Sequence, residues 1–322
     1  MGFAIIGSAL ATPDQVVTND DLTQFMTTSD EWIRQRTGIE RRHVVQTETT
    51  ESLATDVAHQ LLRKSGITAD ELDLILVATM SPTYTMPSVA ATVAGAIGAH
   101  NVMSLDIGSA CTGFVAALSA ARGLATVRHD RYVMVIGAEV LSKILDWHDR
   151  STAILFGDGA GGVLLDMQSA HGAYLGERFI TQGQDGQKLT AGLTGNHSPF
   201  AVPTDGDPYF RMDGHAVYNF VVKTAPDLIT ALLAQTHTDI TDVDVVVFHQ
   251  ANQRMVEQLA NKVGLTAAQC PFNMDEYGNT AGASEPILFA ELVASGRIRP
   301  GDKVLFCAFG GGLTAGAALI EY

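Results

Sequence analysis

The chain has 322 residues, 46% hydrophobic and only 17% charged, enough apolar material for one large core or two fused ones. Its 20 Lys and Arg stand against 35 Asp and Glu, a formal net charge of −15, which argues against nucleic acid as a main partner because phosphate binding needs clustered cations. The 31 glycines and 10 prolines fit neither a collagen-like nor a disordered chain.

The first residues, Met1-Gly-Phe-Ala-Ile-Ile6, carry no basic segment, so no secretory leader is expected, and Ile6 stands where a myristoylation signal needs Ser or Thr. Ala4–Ser8 opens a series of short β-branched runs that read as buried parallel strands: Leu72–Ala78, Tyr132–Ala138, Gly161–Asp166, Val243–Phe248, Val304–Ala308 and Ala315–Ile320. Helical patterns lie between them, as at Leu53–Lys64 and Ala216–Gln235. Alternating strands and helices predict an α/β fold with covered sheets. No apolar run reads as a membrane span. Taken alone, the segment around Trp32 and Arg36 reads as a surface helix capped by Thr28 or Ser29.

Three cysteines, Cys111, Cys270 and Cys307, are too few and too far apart for a disulfide framework or a zinc pattern, and fit a reducing, cytoplasmic compartment. Cys270 and Cys307 read as structural. Cys111 stands apart. Gly108, Ser109, Ala110 and Gly113 surround it, and the stretch that follows, from Val115 to Ala125, is apolar nearly all round, so the thiol is expected at the start of a buried helix. The positive end of that helix should favour a thiolate. A small core residue is the competing reading.

His249 follows the strand ending at Phe248, at the edge where ligands of open α/β sheets collect, and Asn252 and Arg254 open the next helical pattern. Asn279 lies in a small-residue turn before a further helix. Met212-Asp-Gly-His215 lies in a loop that could reach the same cleft.

The halves also match each other. Leu61 and Leu232, Asp73 and Asp244, and Val133 and Val304 are each separated by 171 residues, whereas Phe156-Gly-Asp-Gly and Phe309-Gly-Gly-Gly are separated by 153. A longer loop around Asp146–Thr152 accounts for the difference. This predicts an internal duplication, with halves 1–170 and 171–322 and a cleft between them. The Asn279 turn then approximately mirrors the Cys111 turn, so that two helix starts face one cleft.

From end to end the sequence resembles the ketoacyl synthase III branch of the thiolase superfamily. The resemblance rests on Thr28-Ser-Asp-Glu-Trp-Ile-Arg, Cys111-Thr-Gly-Phe, Phe156-Gly-Asp-Gly-Ala-Gly, His249-Gln-Ala-Asn, Gly278-Asn-Thr-Ala-Gly-Ala-Ser and Phe309-Gly-Gly-Gly. It implies a thiolase-like duplicated fold, layered α-β-α-β-α around two mixed five-stranded sheets, in a homodimer. It implies that Cys111 takes an acyl group from acyl-CoA, that His249 and Asn279 stabilise the enolate formed as malonyl-acyl-carrier-protein loses CO2, and that the N–H groups of Cys111 and Gly311 hold the second oxyanion. No metal or redox cofactor is implied. Thr28, Trp32, Arg36, Arg150, Gly214 and Asn252 would bind CoA. Met86, Leu141 and Phe156 would bound the acyl pocket, Met86 from across the dimer. Arg254 and Lys262 would meet the carrier protein.

Two departures stand out. The family often has Phe at the position of Met86, and basic residues at the positions of Asn219 and Asn261. A specialised acyltransferase on the same scaffold, or a non-catalytic acyl-CoA-binding protein, are the competing functions. An intact Cys-His-Asn set argues against the latter.

Overall fold

The computed structural model describes residues 3–322, so Met1 and Gly2, on which part of the leader reading rests, lie outside the described residues. The first half runs β1 (Ala4–Ala11), β2 (Val16–Thr18), α1 (Asp30–Thr37), β3 (Arg41–His43), α2 (Thr50–Ser65), β4 (Leu72–Ala78), α3 (Val89–Ile97), β5 (Met103–Ile107), α4 (Gly113–Arg128), β6 (Tyr132–Glu139) and β7 (Gly159–Asp166). The second runs β8 (Ala173–Thr181), β9 (Leu189–Thr190), β10 (Arg211–Met212), α5 (Gly214–Thr236), β11 (Val245–Phe248), α6 (Gln253–Val263), α7 (Met274–Tyr277), α8 (Ser284–Ala294), β12 (Lys303–Gly310) and β13 (Thr314–Glu321).

Two sheets have the orders β1-β7-β6-β4-β5 and β8-β13-β12-β11. Set side by side, β1 corresponds to β8, β7 to β13, β6 to β12 and β4 to β11, and β6 and β12 begin 171 residues apart. The fold is α/β and thiolase-like, with mixed sheets of five and four strands rather than two of five. Among the described residues β5 has no partner strand in the second half. At the offset of 171 β5 falls on 274–278, where the chain forms the short helix α7 instead.

The sheets are not all parallel either. Only β4 with β5 and β6, and β11 with β12, run parallel, while β7 pairs antiparallel with β1 and β6, and β13 with β12 and β8. The β12–β13 connection is the three-residue turn 311–313, too short for the crossover that a parallel pair requires.

Strand composition follows from burial on both faces. In β4, Leu74, Leu76 and Ala78 point into one core and Ile75 and Val77 into another, so the run is apolar without alternation. The outer core packs α2 and α3 on the first sheet, and a third core packs α5 and α6 on the second. Between the sheets lie α4 and α8, each touching strands of both, which completes the five layers. Residues 110–128 are apolar and long enough to cross a bilayer, with a mean hydropathy of 1.4. Their setting between two sheets accounts for that composition.

The turns leading into α4 and α8 are near copies. Ala110 and Ala281, 171 residues apart, both have φ of +44°, and each opens a single 3-10 turn, Ala110–Thr112 and Ala281–Ala283. The two turns touch each other. Cys111 therefore corresponds to Gly282, and Asn279 to Gly108. A side chain at Gly137 would collide with the Gly282 carbonyl, so the glycine in β6 lets the second turn seat on the first sheet.

Candidate active site

Cys111 is 5% exposed, on the turn between β5 and α4. Ser109 and Thr112 hold the turn through an Oγ–Oγ1 contact of 2.7 Å and a Thr112 N–H bond to the Ser109 carbonyl. The turn abuts the end of β12: an added Cβ at Gly310 would lie 2.7 Å from Cys111 Cβ and 3.0 Å from its Sγ. The N–H groups of Cys111 and Gly311 face the sulfur and favour a thiolate. They do not win. Burial, and then the nearby carboxyls of Glu285 and Glu139, push the thiol well above its ordinary value. The expected helix-dipole thiolate is therefore not the resting state. The sulfur is a thiol that needs a base.

His249 follows β11, and its N–H is bonded to the Cys307 carbonyl of β12 at 2.9 Å. It is 1% exposed, and burial pushes its pKa down to about 3, with the Ala281 backbone a smaller opposing influence. The ring is thus a neutral imidazole at physiological pH. Its Nδ1 lies 2.8 Å from Ser284 Oγ, and Phe309 packs edge-on at 5.4 Å between centroids.

Asn279 is tied to the first half through its backbone. Its N–H bonds the Leu155 carbonyl at 2.8 Å, and its carbonyl accepts from Gly157 at 3.1 Å. The side-chain Oδ1 accepts from Ala281 N–H at 2.9 Å. That contact uses the carbonyl end of the amide, so Nδ2, unbonded among the described residues, is the end left for a ligand.

Cys111, His249 and Asn279 line one cavity of about 720 Å³, whose mouth carries Arg36 and Arg254. A second, of about 340 Å³, lies between Met80, Leu189, Phe210 and Gly311, and Cys111 lines it too. The thiol is where the two spaces meet.

The remaining predicted residues divide. Gly214, Asn252 and Phe156 line the larger cavity with Arg36 and Arg254. Asn252 is also the N-cap of α6, accepting from Arg254 N–H, and it donates to the Arg36 carbonyl at 2.9 Å. Ser29, not Thr28, caps α1 by accepting from Trp32 N–H, and Thr28 Oγ1 is buried without a partner. Arg36 and Arg150 both stack on the Trp32 indole, each guanidinium carbon 4.4 Å from the ring centroid. The long 140–158 connection brings Arg150 there, with Nη1 on the Thr27 carbonyl. Leu141 is fully buried in the small cluster around Cys111, Phe156 and Phe210, behind the cavity wall. Met86 is 84% exposed and lines neither cavity of its own chain. Lys262 donates Nζ to the Val222 carbonyl of α5.

Several residues of the site have no motif to announce them. Leu189 and Phe210 form walls of both cavities, yet they lie in an irregular stretch with no periodicity. Arg42 is fully buried and faces no carboxylate at bonding distance. It donates to the Ile154 carbonyl at 2.8 Å and to Asn19 Oδ1 at 2.9 Å, fixing the approach to Phe156 and hence to Asn279. Ser284 and Glu285, behind His249, are both buried. Among the described residues no cluster of His, Cys, Asp and Glu is arranged to hold a metal ion.

A duplicated five-layer fold with a thiol where its two cavities meet is the architecture of the acyl-transferring thiolase class. Family comparison narrows this. Residues 233–322 match the 3-Oxoacyl-[acyl-carrier-protein (ACP)] synthase III C terminal family, and residues 105–183 match 3-Oxoacyl-[acyl-carrier-protein (ACP)] synthase III. The chain is 49% identical to a Beta-ketoacyl-[acyl-carrier-protein] synthase III of Lactobacillus helveticus over 322 residues, covering 99% of this chain and 98% of the relative. It is 46% identical to one of Streptococcus pneumoniae over 324 residues, covering 99% of each. The crystal structure of 3-oxoacyl-[acyl-carrier-protein] synthase III from Aquifex aeolicus superposes with a TM-score of 0.93 at 37% identity, covering 100% of both chains. The chain belongs to the 3-oxoacyl-[acyl-carrier-protein] synthase III family, the condensing acyltransferases of fatty-acid synthesis.

Proposed function

We propose that this enzyme condenses an acyl-CoA primer, acetyl-CoA among those accepted, with malonyl-acyl-carrier-protein to give 3-oxoacyl-acyl-carrier-protein. The observation that carries the reading is the position of Cys111 at the junction of the two cavities. The larger admits a CoA or carrier-protein arm from a mouth lined by Arg36 and Arg254, and the smaller, apolar one receives the acyl chain. Cys111 attacks the thioester, and CoA leaves. The N–H groups of Cys111 and Gly311, which face the sulfur, hold the oxyanion. In the second stage the malonyl thioester oxygen accepts from His249 and from Asn279 Nδ2 while CO2 departs. The carbanion then attacks the acyl-Cys111 carbonyl. Loss of CO2 drives the step, so no metal or redox cofactor is required.

Trp32, Arg36 and Arg150 form the CoA nucleotide site, with the base entering between the indole and one guanidinium, and Thr28 Oγ1, unpartnered among the described residues, meets the pantetheine arm. Carrier protein docks on Arg254 and Lys262. A second copy of the chain pairs along β5, the edge strand of the first sheet, near exposed Tyr84 and Met86. The three free cysteines suit the cytoplasm.

The test is a reconstituted reaction with acetyl-CoA and malonyl-carrier protein. The reading predicts CO2 release and a 3-oxoacyl-carrier protein in equal amounts. Acyl transfer to another acceptor without CO2 release would point instead to a specialised acyltransferase.

A further inference from the structure

Ser284 Oγ has three polar neighbours: His249 Nδ1 at 2.8 Å, the Gln250 N–H at 3.2 Å and Glu285 Oε2 at 3.0 Å. A serine hydroxyl has one proton and two lone pairs. The Gln250 N–H can only donate, so it takes one lone pair. One proton and one lone pair are left for His249 and Glu285, and they can be distributed in two ways. If Ser284 donates to an ionised Glu285, it accepts from His249, whose proton is then on Nδ1 and whose Nε2 is bare. If Glu285 is protonated and donates to Ser284, the serine proton turns to His249 Nδ1, and the imidazole proton is then on Nε2.

We propose that Ser284 and Glu285 are positioning residues that act through His249 as a proton relay, setting its tautomer to suit each half-reaction. The inference rests on the function proposed above. With Glu285 ionised, Nε2 accepts the Cys111 proton across the cavity the two side chains share. The Nδ1 proton passes to Ser284, and the serine proton to Glu285. The net change is Cys111 thiol plus Glu285 carboxylate to Cys111 thiolate plus Glu285 carboxylic acid, with His249 neutral throughout. The thiolate attacks the acyl-CoA, and the departing CoA thiolate takes a proton from solvent. The acyl-enzyme is left with Glu285 protonated and Nε2–H in place, the tautomer that can donate to the enolate oxygen during decarboxylation. When the condensed product leaves, the Cys111 thiolate recovers its proton by the reverse path. One proton is consumed per turnover, as loss of CO2 from a carboxylate requires.

The surroundings fit this role. Glu285 is 0% exposed, its Oε1 has no partner among the described residues, and burial pushes its pKa up to about 8, so both of its protonation states lie within reach of neutral pH. The titratable groups around it are Cys111 on the turn before α4, Cys307 on β12, His249 after β11, and Glu139 at the end of β6, whose charge also acts on Cys111. Among the described residues no cation contributes to its titration. Glu285 and the Cys111 thiolate repel each other. Moving the proton from one to the other keeps the two negative charges from coexisting.

The test combines a spectroscopic and a kinetic readout. In protein labelled with 15N-histidine, His249 signals should cross from the Nε2–H to the Nδ1–H pattern as pH rises from about 6 to about 10. In Glu285→Gln, whose amide neither takes up nor releases a proton in this range, they should hold a single pattern throughout. The same variant should lose about 10²-fold in the rate of Cys111 acylation from acetyl-CoA, the usual share of a general base, yet decarboxylate malonyl-carrier protein within about threefold of wild type. A wild-type His249 that keeps one tautomer across that range overturns the relay even if the variant cannot be purified. So does a variant whose tautomer titrates as wild type. The tautomer measurement uses no substrate, so it is independent of whether wild-type enzyme condenses acetyl-CoA with malonyl-carrier protein, on which the proposed function stands or falls.

Discussion

Replacing Gly310 with alanine probes how closely the nucleophile is held. The added Cβ would lie 2.7 Å from Cys111 Cβ, 3.0 Å from Sγ and 3.3 Å from the Cys111 nitrogen. All three atoms belong to a short turn, so no flexible side-chain end can swing aside. Gly310 needs no left-handed backbone, and its pairing with Thr314 is a main-chain contact, so the β12–β13 ladder survives. The cost falls on the Cys111 turn. Overpacking of this kind costs about 1–3 kcal/mol. If the shifted thiol carries that cost into the acylation transition state, the rate falls by roughly 5- to 150-fold. Gly123→Ala in α4 is the control, because its Cβ meets nothing within 4 Å. Stopped acylation with acetyl-CoA, read by intact-protein mass, should show the loss in Gly310→Ala and little change in Gly123→Ala, with both variants melting within a few degrees of wild type. Wild-type acylation in Gly310→Ala would show that the turn has more freedom than the structure allows.

Stability should depend on pH in two opposite ways. Glu285 and Glu139 are pushed up by burial to about 8 and about 7, so from roughly pH 4.5 upward the folded chain holds protons the unfolded chain has lost, and stability falls as pH rises towards 8. His249, pushed down to about 3, lacks a proton that the unfolded chain takes up below roughly 6.5, so its contribution falls as pH drops. Above about pH 6.5 the His249 contribution no longer changes, and Glu285→Gln should raise the melting temperature more at about pH 9 than at about pH 6; an equal gain at both would contradict the burial argument. Arg254→Glu should raise KM for malonyl-carrier protein and leave acylation from acetyl-CoA unchanged, and the wild-type KM should rise with salt, since exposed charges are screened over roughly 10 Å at 0.1 M; a salt-insensitive KM would move the docking surface elsewhere. Met86→Phe should narrow the primer range towards acetyl-CoA if this exposed, flexible side chain closes the pocket of a second copy; unchanged kcat/KM for four- and five-carbon primers would exclude it.

Of the residues that meet in the larger cavity, Cys111 and Asn279 were legible because each lies among residues with little other reason to be small, and His249 because it ends a buried strand. Gly108 to Gly113 and Gly278 to Ala283 strip side chains from two turns, and the structure shows why: both enter α-helices through a left-handed alanine and then pack against each other. The strands with two buried faces were legible for the same reason that they are apolar. β8 was not assigned, because it is an edge strand with a largely exposed pattern, and its sequence carries Glu177 and Arg178 beside its apolar residues. Strand direction was misread where continuous apolar runs suggested parallel pairing, because burial on both faces produces that pattern in either direction. Glu285 carries no signal in the sequence, because an acid in the first turn of a helix is favoured anyway. Only the packing of α8 between two sheets makes that acid a buried one. The thiolate expected from the helix start likewise gave way to desolvation, a term that no local pattern carries.

In the proposed mechanism Cys111 carries the acyl group from one substrate to the other. Intact-protein mass spectrometry tests it directly. Wild-type enzyme incubated with acetyl-CoA should gain one acetyl group, lose it when malonyl-carrier protein is added, and yield 3-oxoacyl-carrier protein in the same amount, while Cys111→Ala should gain nothing. An acetyl adduct that persists in Cys111→Ala, or one on the wild type that malonyl-carrier protein fails to discharge, would contradict the account.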